Sequence, residues 1–392
     1  MSIINTHGWK TRMVFRIMRL LPIQRKVVGT TFKGMKYGDN PQFVFETIHS
    51  IAPKVKLVWL VDPNTDYALP DYVKKVPYHR GLAMVFHIST AKVVVDTHRF
   101  QTWVEKRPGQ CFIETWHGGL GIKKIDGDVD KFQTSPLVMG EVAHTNKLAD
   151  VFISQSDHLS RIYRSAFRYE GPIWKCGYPK NDCLVNGDPS KVKDALRFLS
   201  LPEGVHTCLY APSFRDYFYH EMHVEAYSVD FGRLKDSLEK RFGGEWKVLV
   251  RWHPLFAKQI TEAMSIDESV MDTTQYPDMQ ALLLTVDAVV SDYSSCLFDA
   301  ALRDIPCFTY ASDFEQYKAD RGVYYEMEEL PFPYARNNDE LARNIETFDQ
   351  EDYHSKWEAF KVRTGLHETG HAAKDIAEKI VGFLKGEPIQ WE

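Results

Sequence analysis

The alternation of short apolar runs with segments of helical spacing constrains the fold of this chain most strongly. In the first half the apolar runs are 55–62, 84–90, 91–98, 111–117 and 149–156, and helix-like spacing occupies 40–52 and 138–150. In the second half the runs are 206–213, 246–254, 287–292 and 306–312. Such alternation is typical of mostly parallel sheets that helices cover on both faces. The sequence therefore predicts an α/β protein with two sheets.

The length of the chain predicts two domains. With 392 residues it exceeds the size that one hydrophobic core usually serves. A polar stretch with glycine and proline at 185–204 separates the two series of runs and predicts a hinge. The expected parts are a basic segment, two Rossmann-like domains and a C-terminal helix, at 1–27, 28–190, 205–370 and 371–392.

Composition excludes several classes of protein. The net charge of -5 argues against a general nucleic-acid binder, which is usually basic. The six cysteines show no C-x-x-C motif and no zinc-like spacing, so we expect them to be core residues in a reducing compartment. Because no apolar run reaches 18 residues, no transmembrane helix is expected.

The N-terminal segment 8–22 predicts an amphipathic helix. Arg12, Arg16 and Arg19 share one face, and apolar side chains cover much of the remainder. This pattern is typical of a helix that lies on an anionic membrane. An ordinary packed helix with a solvated basic edge has the same pattern, and the sequence leaves both interpretations open.

Polar side chains follow several of the predicted strands. In parallel sheets the carboxyl ends of the strands form the usual ligand site. The residues of these loops with suitable chemistry are His117, Gly118, Lys123, Lys124, Arg215, Arg251, His253, Ser294 and Ser295. Guanidinium, ammonium and hydroxyl groups suit a phosphorylated ligand. The chain has no Walker motif and no G-x-G-x-x-G motif after a strand, which argues against ATP hydrolysis and nicotinamide chemistry.

The serine turn at 290–295 has two interpretations. Serine and aspartate commonly cap a helix N-terminus. A helix N-terminus with adjacent hydroxyls also favours an anion. We expect Ser294 and Ser295 to do both.

Several motifs together resemble one enzyme family. WHGGLGIKKI (116–125), GYPKNDCL (177–184), YAPSFRD (210–216), RWHPL (251–255), VSDYSS (290–295) and RGVYYEMEELPFP (321–333) follow in the order found in CDP-glycerol glycerophosphotransferases, and FKGMKYGDNPQFVFE (32–46) is similar to a further element of that family. Gly119, Leu120 and Gly121 stand where the family usually has Thr-Pro-Leu. This departure alters the loop beside His117.

The resemblance implies a GT-B fold, with two Rossmann-like domains facing across a cleft onto a shared pyrophosphate pocket. It implies an acceptor-side first domain and a second domain that binds CDP-glycerol. The implied reaction transfers glycerol phosphate to a lipid-linked saccharide or a growing polymer and releases CMP, in teichoic acid or capsule synthesis. Such an enzyme would act at the cytoplasmic face of the bacterial membrane as a peripheral protein.

The resemblance also implies roles for individual residues. Imidazole suits a general base because its usual pKa is about 6.5. His117 is the expected base, and His253 would assist the diphosphate or the departing CMP. The reverse assignment, or an aspartate base at Asp126 or Asp128, stays open.

The other expected contacts concern the two substrates. The residues expected to bind the donor are Gly118, Arg215, Arg251, Ser294, Ser295 and Asp313, the last through ribose hydroxyls unless it only ends a turn. Lys123, Asp39 and Asn40 are expected on the acceptor side or in loops. No metal and no cofactor are expected. CDP-ribitol as donor, a glycosyltransferase that uses a nucleotide sugar, and a non-catalytic binding module are the alternatives, and the number of copies in an assembly is left open.

Overall fold

The computed structural model describes residues 8–79, 81–129, 135–215, 227–253 and 270–391. Residues 1–7 of the expected basic segment, Asp216 of the YAPSFRD motif and the last two residues of the RWHPL motif lie outside these ranges. The chain forms two compact units.

The bounds of the two units differ from the sequence-based domain bounds. The first unit contains 1–117, 126–182 and 367–392, and the second contains 118–125 and 183–366. The C-terminal helix, which we expected as a separate part, belongs to the first unit. The segment that follows His117 belongs to the second unit, although it is remote in sequence from the rest of that unit. Each unit is therefore built from segments that are not consecutive in the sequence, and the order of the predicted elements along the chain does not indicate this.

The first unit contains a parallel sheet. In its described part the strands are β1 (Gln24–Thr30), β2 (Lys56–Val61), β3 (Val73–Pro77), β4 (Ala91–Asp96), β5 (Cys111–Glu114), β6 (Val151–Ser154) and β7 (Ile173–Lys175). Their order is β3-β2-β1-β4-β5-β6-β7. The order reverses between β1 and β4, and the loops at such a switch point form the usual crevice for a ligand.

The second unit has a sheet of the same type. Its described strands are β8 (His206–Tyr210), β9 (Trp246–Val250), β10 (Val270–Asp272), β11 (Ala288–Ser291), β12 (Cys307–Tyr310) and β13 (Tyr334–Ala335). The order is β10-β9-β8-β11-β12-β13, with every pair parallel. The switch point therefore lies between β8 and β11.

Helices cover both sheets. The described helices are α1 (Gly8–Met18), α2 (Asp39–Ile51), α3 (Leu82–Thr90), α4 (Pro136–Leu148), α5 (Asp157–Ala166), α6 (Asp182–Asn186), α7 (Pro189–Leu199), α8 (Phe231–Phe242), α9 (Met279–Thr285), α10 (Cys296–Ala301), α11 (Phe314–Arg321), α12 (Asn338–Glu346), α13 (Gln350–Thr364) and α14 (Ala372–Lys385). In the first unit α14 packs against α2 and α1 packs against α3.

The apolar run 84–90 is the element that sequence reasoning assigned wrongly. It is helical, within α3, and it continues directly into β4 at Ala91. A short continuous apolar run does not distinguish a buried strand from a buried helix. Six of its residues are buried, so no polar face was present to reveal the helical period.

The segment 185–204, expected as a hinge, lies within the second unit and contains α7, whereas other expected elements are confirmed. The helices expected at 40–52, 138–150 and 371–386 are α2, α4 and α14. The six cysteines are free and buried, as expected for core residues. Among the described helices, none has the length and apolar content needed to cross a membrane.

Candidate functional site

His117 lies at the exit of β5 in the first unit, and its ring orientation is fixed. Its Nδ1–H donates to the carbonyl of Thr97 over 2.8 Å. The ring also contacts Phe32 at 4.8 Å and Trp116 at 4.2 Å between centroids. With Nδ1 protonated, the lone pair of the neutral ring is at Nε2. This tautomer is the one that a general base acting through Nε2 requires.

Burial keeps this imidazole neutral. It lowers the pKa of His117 to about 4, helped by the charges of Arg99 and Lys180, while the Thr97 carbonyl and the Asp39 carboxylate act in the opposite direction. A ring with this pKa is unprotonated at neutral pH and accepts a proton without first losing one.

Asn40 holds the turn that carries His117. Its buried amide Nδ2 donates to the carbonyl of Trp116 over 3.2 Å, and its Oδ1 accepts from the backbone N–H of Lys180 over 3.2 Å. Asp39 contributes the charge that faces His117 and caps the N–H of Asn40 at 2.8 Å. Both residues therefore lie beside His117, and Asn40 acts as a structural support; contact with an acceptor stays a prediction.

Several residues around His117 have left-handed backbone conformations. Trp116 has φ 52°, and Phe32, Lys33 and Asp39 have φ 47°, 57° and 58°. Such conformations cost about 1–3 kcal/mol for residues other than glycine and collect at functional sites. The turn is therefore held by its surroundings rather than by local preference.

The two alternative bases in the first unit are engaged. Asp126 receives Nη1 of Arg99 on both carboxylate oxygens, at 2.7 and 2.6 Å. Asp128 accepts from the hydroxyl of Ser165 over 2.7 Å. Both carboxylates are therefore engaged with protein partners, whereas the lone pair of His117 is at Nε2 in the observed tautomer; which group acts as the base stays a prediction.

In the second unit Arg215 is the centre of a buried ionic network. Its guanidinium is 0% exposed and donates to both oxygens of Asp313, at 2.6 and 3.0 Å, and to Asp292 at 2.8 Å. A further bond of 2.8 Å goes to the carbonyl of Ser213. The guanidinium lies 4.7 Å from the Tyr293 ring centroid. These contacts join the loops after β8, β11 and β12.

This network assigns Arg215 and Asp313 a structural role that the sequence did not show. Both were expected to contact the donor, and that contact stays a prediction. The observed geometry makes them positioning residues, because Asp292 also receives the N–H groups of Ser213 and Tyr293. The network thereby sets the backbone immediately before the two serines.

The serine turn is confirmed as a strand-to-helix connection. Ser294 and Ser295 are partly exposed within an otherwise buried stretch. Ser294 Oγ accepts the N–H of Cys296 over 3.3 Å, so its capping role is confirmed. The capping role of Ser295 is wrong, because its side chain makes no capping bond. Its αR backbone, with φ -65° and ψ -11°, differs from the extended conformation of most N-cap residues.

His253 and Lys123 come close together in the second unit through Phe214. The His253 and Phe214 rings are 5.2 Å apart, and Lys123 Nζ lies 6.0 Å from the Phe214 centroid. Burial, together with the Lys123 charge, lowers the pKa of His253 to about 4. The 118–125 segment, which begins with the partly exposed Gly118, is held by bonds such as Lys124 N–H to the Gly322 carbonyl at 3.0 Å.

Arg251 supports a neighbouring loop. Its Nη1 donates to the carbonyls of Thr273 and Tyr276, at 3.0 and 2.6 Å. Burial lowers its pKa. These bonds tie the end of β9 to the loop after β10, and donor contact by Arg251 stays a prediction.

Three structural features of the first unit were missed by sequence reasoning. Glu368 accepts from the N–H of Tyr178 and from Asn181 Nδ2, each over 2.9 Å, which secures the GYPKNDCL turn. Asp182 caps α14 through the N–H groups of Ala372 and Ala373. Asp96 and Glu114 are buried carboxyl residues that lie opposite each other at the ends of β4 and β5. The positions of Asp96 and Glu114 at strand ends were a sequence signal for that pair. The contacts of Glu368 and Asp182 gave no such signal, because their partners are remote in sequence.

Among the described residues, no three or more His, Cys, Asp or Glu side chains are grouped to hold a metal ion. The expectation that no metal is needed stays a prediction.

Comparison with known proteins identifies the family. The CDP-glycerol:poly(glycerophosphate) glycerophosphotransferase family model matches residues 13–382. The teichoic acid poly(glycerol phosphate) polymerase of Staphylococcus epidermidis is 28% identical over 92% of this chain and 51% of its own length. A teichoic acid glycerol-phosphate transferase of Staphylococcus aureus is 27% identical over 93% of this chain and 95% of its own length. The chain thus spans about half the length of the polymerase.

A solved structure gives the same result. The wall teichoic acid polymerase TagF superimposes with a TM-score of 0.83 and 26% identity, over 98% of this chain and 95% of that chain. With the two parallel sheets, this likeness confirms the expected GT-B-like α/β class. Since the family model covers nearly the whole sequence, the chain belongs to the CDP-glycerol:poly(glycerophosphate) glycerophosphotransferase family.

Proposed function

We propose that this protein transfers glycerol phosphate from CDP-glycerol to a hydroxyl of a lipid-linked saccharide or a growing polyol-phosphate polymer, in teichoic acid or capsule synthesis. The observation that carries the proposal is the tautomer of His117, a neutral imidazole with Nδ1–H bound to the Thr97 carbonyl. Family membership over residues 13–382 supplies the substrate class.

His117 acts as the general base. The acceptor hydroxyl loses its proton to Nε2 while its oxygen forms a bond to the β-phosphorus of CDP-glycerol. The bond between that phosphorus and the bridging oxygen breaks, and CMP leaves with the electron pair. A base that Asn40 and the Thr97 carbonyl already hold in place needs little reorganisation as the reaction proceeds.

The second unit holds the donor. Ser294 and Ser295 offer hydroxyls, and Gly118 lets backbone approach the diphosphate. Lys123 supplies positive charge, and neutral His253 donates a hydrogen bond to the diphosphate or to the departing CMP. Arg215 keeps the serine turn in place through Asp292 and Tyr293.

Helix α1 supports peripheral contact with the cytoplasmic face of the membrane. Phe15 is 1% exposed and packs into the core of the first unit. Met13 and Ile17, on the other side of the helix, and Leu20, in the turn just after it, are 50%, 56% and 85% exposed. Arg16, also exposed, flanks this stripe. An exposed apolar stripe beside a cation suits an anionic lipid surface.

A donor panel tests the activity. The protein is incubated with CDP-glycerol, CDP-ribitol, UDP-sugars or GDP-sugars and a synthetic lipid-linked acceptor, and CMP release and product mass are measured. The proposal expects CMP only with CDP-glycerol and a product heavier by one glycerol phosphate. Turnover with CDP-ribitol alone would establish the ribitol alternative, turnover with a nucleotide sugar would establish a glycosyltransferase, and binding of CDP-glycerol without turnover would indicate a binding module.

A matched pair of variants tests the base. His117→Ala should lose nearly all activity while remaining folded. His144→Ala is the control, because His144 is also a partly buried first-unit histidine bonded to a carbonyl at 2.8 Å, that of Val104. If His117→Ala keeps the full rate, His117 is not the base.

A further inference from the structure

Three residues that line one small cavity beside the His117 turn each carry a buried polar atom without a hydrogen-bond partner. The atoms are Arg99 Nε, Glu114 Oε2 and Asn146 Oδ1, and none has a partner among the described residues. All three residues line the same cavity, together with Trp116, Phe152 and Phe167. Glu114 is 1% exposed. Orphaned atoms are rare in folded proteins, and three around one cavity require a common cause.

The size of the cavity fits one water molecule. It offers about 10 Å³ of room to a water-sized sphere, which is about what one buried water needs. Leaving three buried polar atoms unsatisfied would cost about 1–3 kcal/mol each. Besides the aromatic side chains, Val142 and Thr145 complete the wall, and the Thr145 hydroxyl already accepts from the N–H of Phe100 and donates to the carbonyl of Glu141.

The donors and acceptors also balance. A water oxygen accepts from Arg99 Nε–H and donates one hydrogen to Asn146 Oδ1. Its remaining capacity serves Glu114 Oε2, as donor to a carboxylate or as acceptor from a carboxylic acid. Burial, together with the neighbouring Asp96 carboxyl, raises the pKa of Glu114 well above its usual value. One water therefore satisfies all three atoms in either state.

The residues around this cavity support the His117 turn. Glu114 Oε1 accepts the N–H of Trp116 over 3.0 Å, and Trp116 is the left-handed residue directly before His117. Arg99 holds Asp126. Asn146 Nδ2 donates to the carbonyl of Phe167, whose ring packs on Trp116 at 4.7 Å.

We propose that Arg99, Glu114 and Asn146 bind one ordered water and that Glu114, held by this water, is a positioning residue for His117. The catalytic consequence rests on the proposed function, since it presumes that His117 acts on a substrate. The water site does not depend on it.

A high-resolution crystal structure of the full chain tests the water site. The expected result is one water within hydrogen-bond distance, about 3 Å, of Arg99 Nε, Glu114 Oε2 and Asn146 Oδ1. An empty cavity, or side chains that pair directly with each other, would overturn the proposal.

Kinetics of two Glu114 variants test the positioning role. Glu114→Gln keeps an acceptor for the Trp116 N–H and a polar group for the water, so kcat for CMP release should stay within about threefold of the wild type. Glu114→Met has neither, and a misplaced base should lower kcat on the order of 100-fold. KM for CDP-glycerol should be unchanged, because the donor-binding residues lie in the other unit.

Gln110→Met is the matched control. Gln110 directly precedes the same strand at its opposite end, is buried, and donates to the carbonyls of Ile88 and Ala91 at 2.7 Å each. This variant should lose stability without losing kcat. If Glu114→Met behaves like Gln110→Met, or if Glu114→Gln fails to restore kcat, Glu114 has only a structural role.

The His117 ring itself provides a readout that needs no substrate. NMR of the imidazole nitrogens should show the Nδ1–H tautomer in the wild type and in Glu114→Gln, and a mixture of tautomers in Glu114→Met. An unchanged tautomer in Glu114→Met contradicts the positioning role. If the wild type releases no CMP with any donor, the proposed function fails, and the crystal structure and the NMR spectra still decide whether the water and the positioning exist.

Discussion

Replacing Arg215 by Met tests the buried network of the second unit most directly. The side chains have similar volume and both are unbranched along the stem, so the change removes four hydrogen bonds of 2.6–3.0 Å without opening a large cavity. It leaves Asp292 and Asp313, which are 2% and 13% exposed, without a counter-charge. Removing one partner of a buried ion pair usually costs about 3–5 kcal/mol. For a unit of this size that corresponds to a fall in melting temperature on the order of 10 °C.

Urea titration followed by tryptophan fluorescence and by circular dichroism measures the loss. The control is Arg336→Met, since Arg336 pairs with Glu328 at 2.7 Å while both side chains are about 60% exposed. An exposed pair contributes about 0–1 kcal/mol. If Arg215→Met loses no more free energy of unfolding than Arg336→Met, the network does not hold the three loops together. Weaker binding of CDP-glycerol by Arg215→Met is also expected, because the serine turn loses its support.

Three further outcomes are expected. The pKa of His117 is lowered from 6.5 to about 4, so as pH falls the unfolded state binds a proton before the folded state does. The contribution of the neutral His117 ring to folding stability is therefore complete above pH 6.5 and is lost as pH falls towards 4. The wild type should therefore lose up to about 3 kcal/mol more than His117→Gln over that interval, and equal losses would contradict a neutral, partly buried ring. Activity should survive a metal chelator, and abolition by chelator with recovery on adding a divalent ion would overturn this. Ile17→Ser should weaken sedimentation with anionic vesicles more than Leu196→Ser, a change at a residue that is 51% exposed in the second unit, and an equal effect would exclude α1 as the contact.

The sequence predicted correctly the features that depend on the local apolar pattern and on side-chain chemistry. Apolar runs followed by His117, Ser294 or Arg251 predicted strand exits, because parallel strands bring their carboxyl ends to one edge. Several motifs in family order predicted the class of enzyme. The pattern failed at 84–90, because a segment buried on all sides has no amphipathic period.

The roles of individual polar residues depended on partners remote in sequence. Arg215 and Asp313 are separated by 98 positions, and Asn40 and Lys180 by 140. Residue type alone suggested donor contacts for Arg215 and Asp313 and an acceptor-side or loop position for Asn40. The structure shows them engaged with each other or with backbone, because a buried charge or amide must be paired where it lies.

The amino-acid sequence by itself determined the two parallel sheets, the family and the chemical character of the loops at the strand ends. Those properties follow from local apolar pattern and from side-chain chemistry. Only the tertiary structure decided which polar groups face solvent and which are paired inside, and thus that His117 is a neutral, oriented imidazole while Arg215 is a support. The physical reason is that protonation and hydrogen bonding depend on burial and on neighbours that folding brings together.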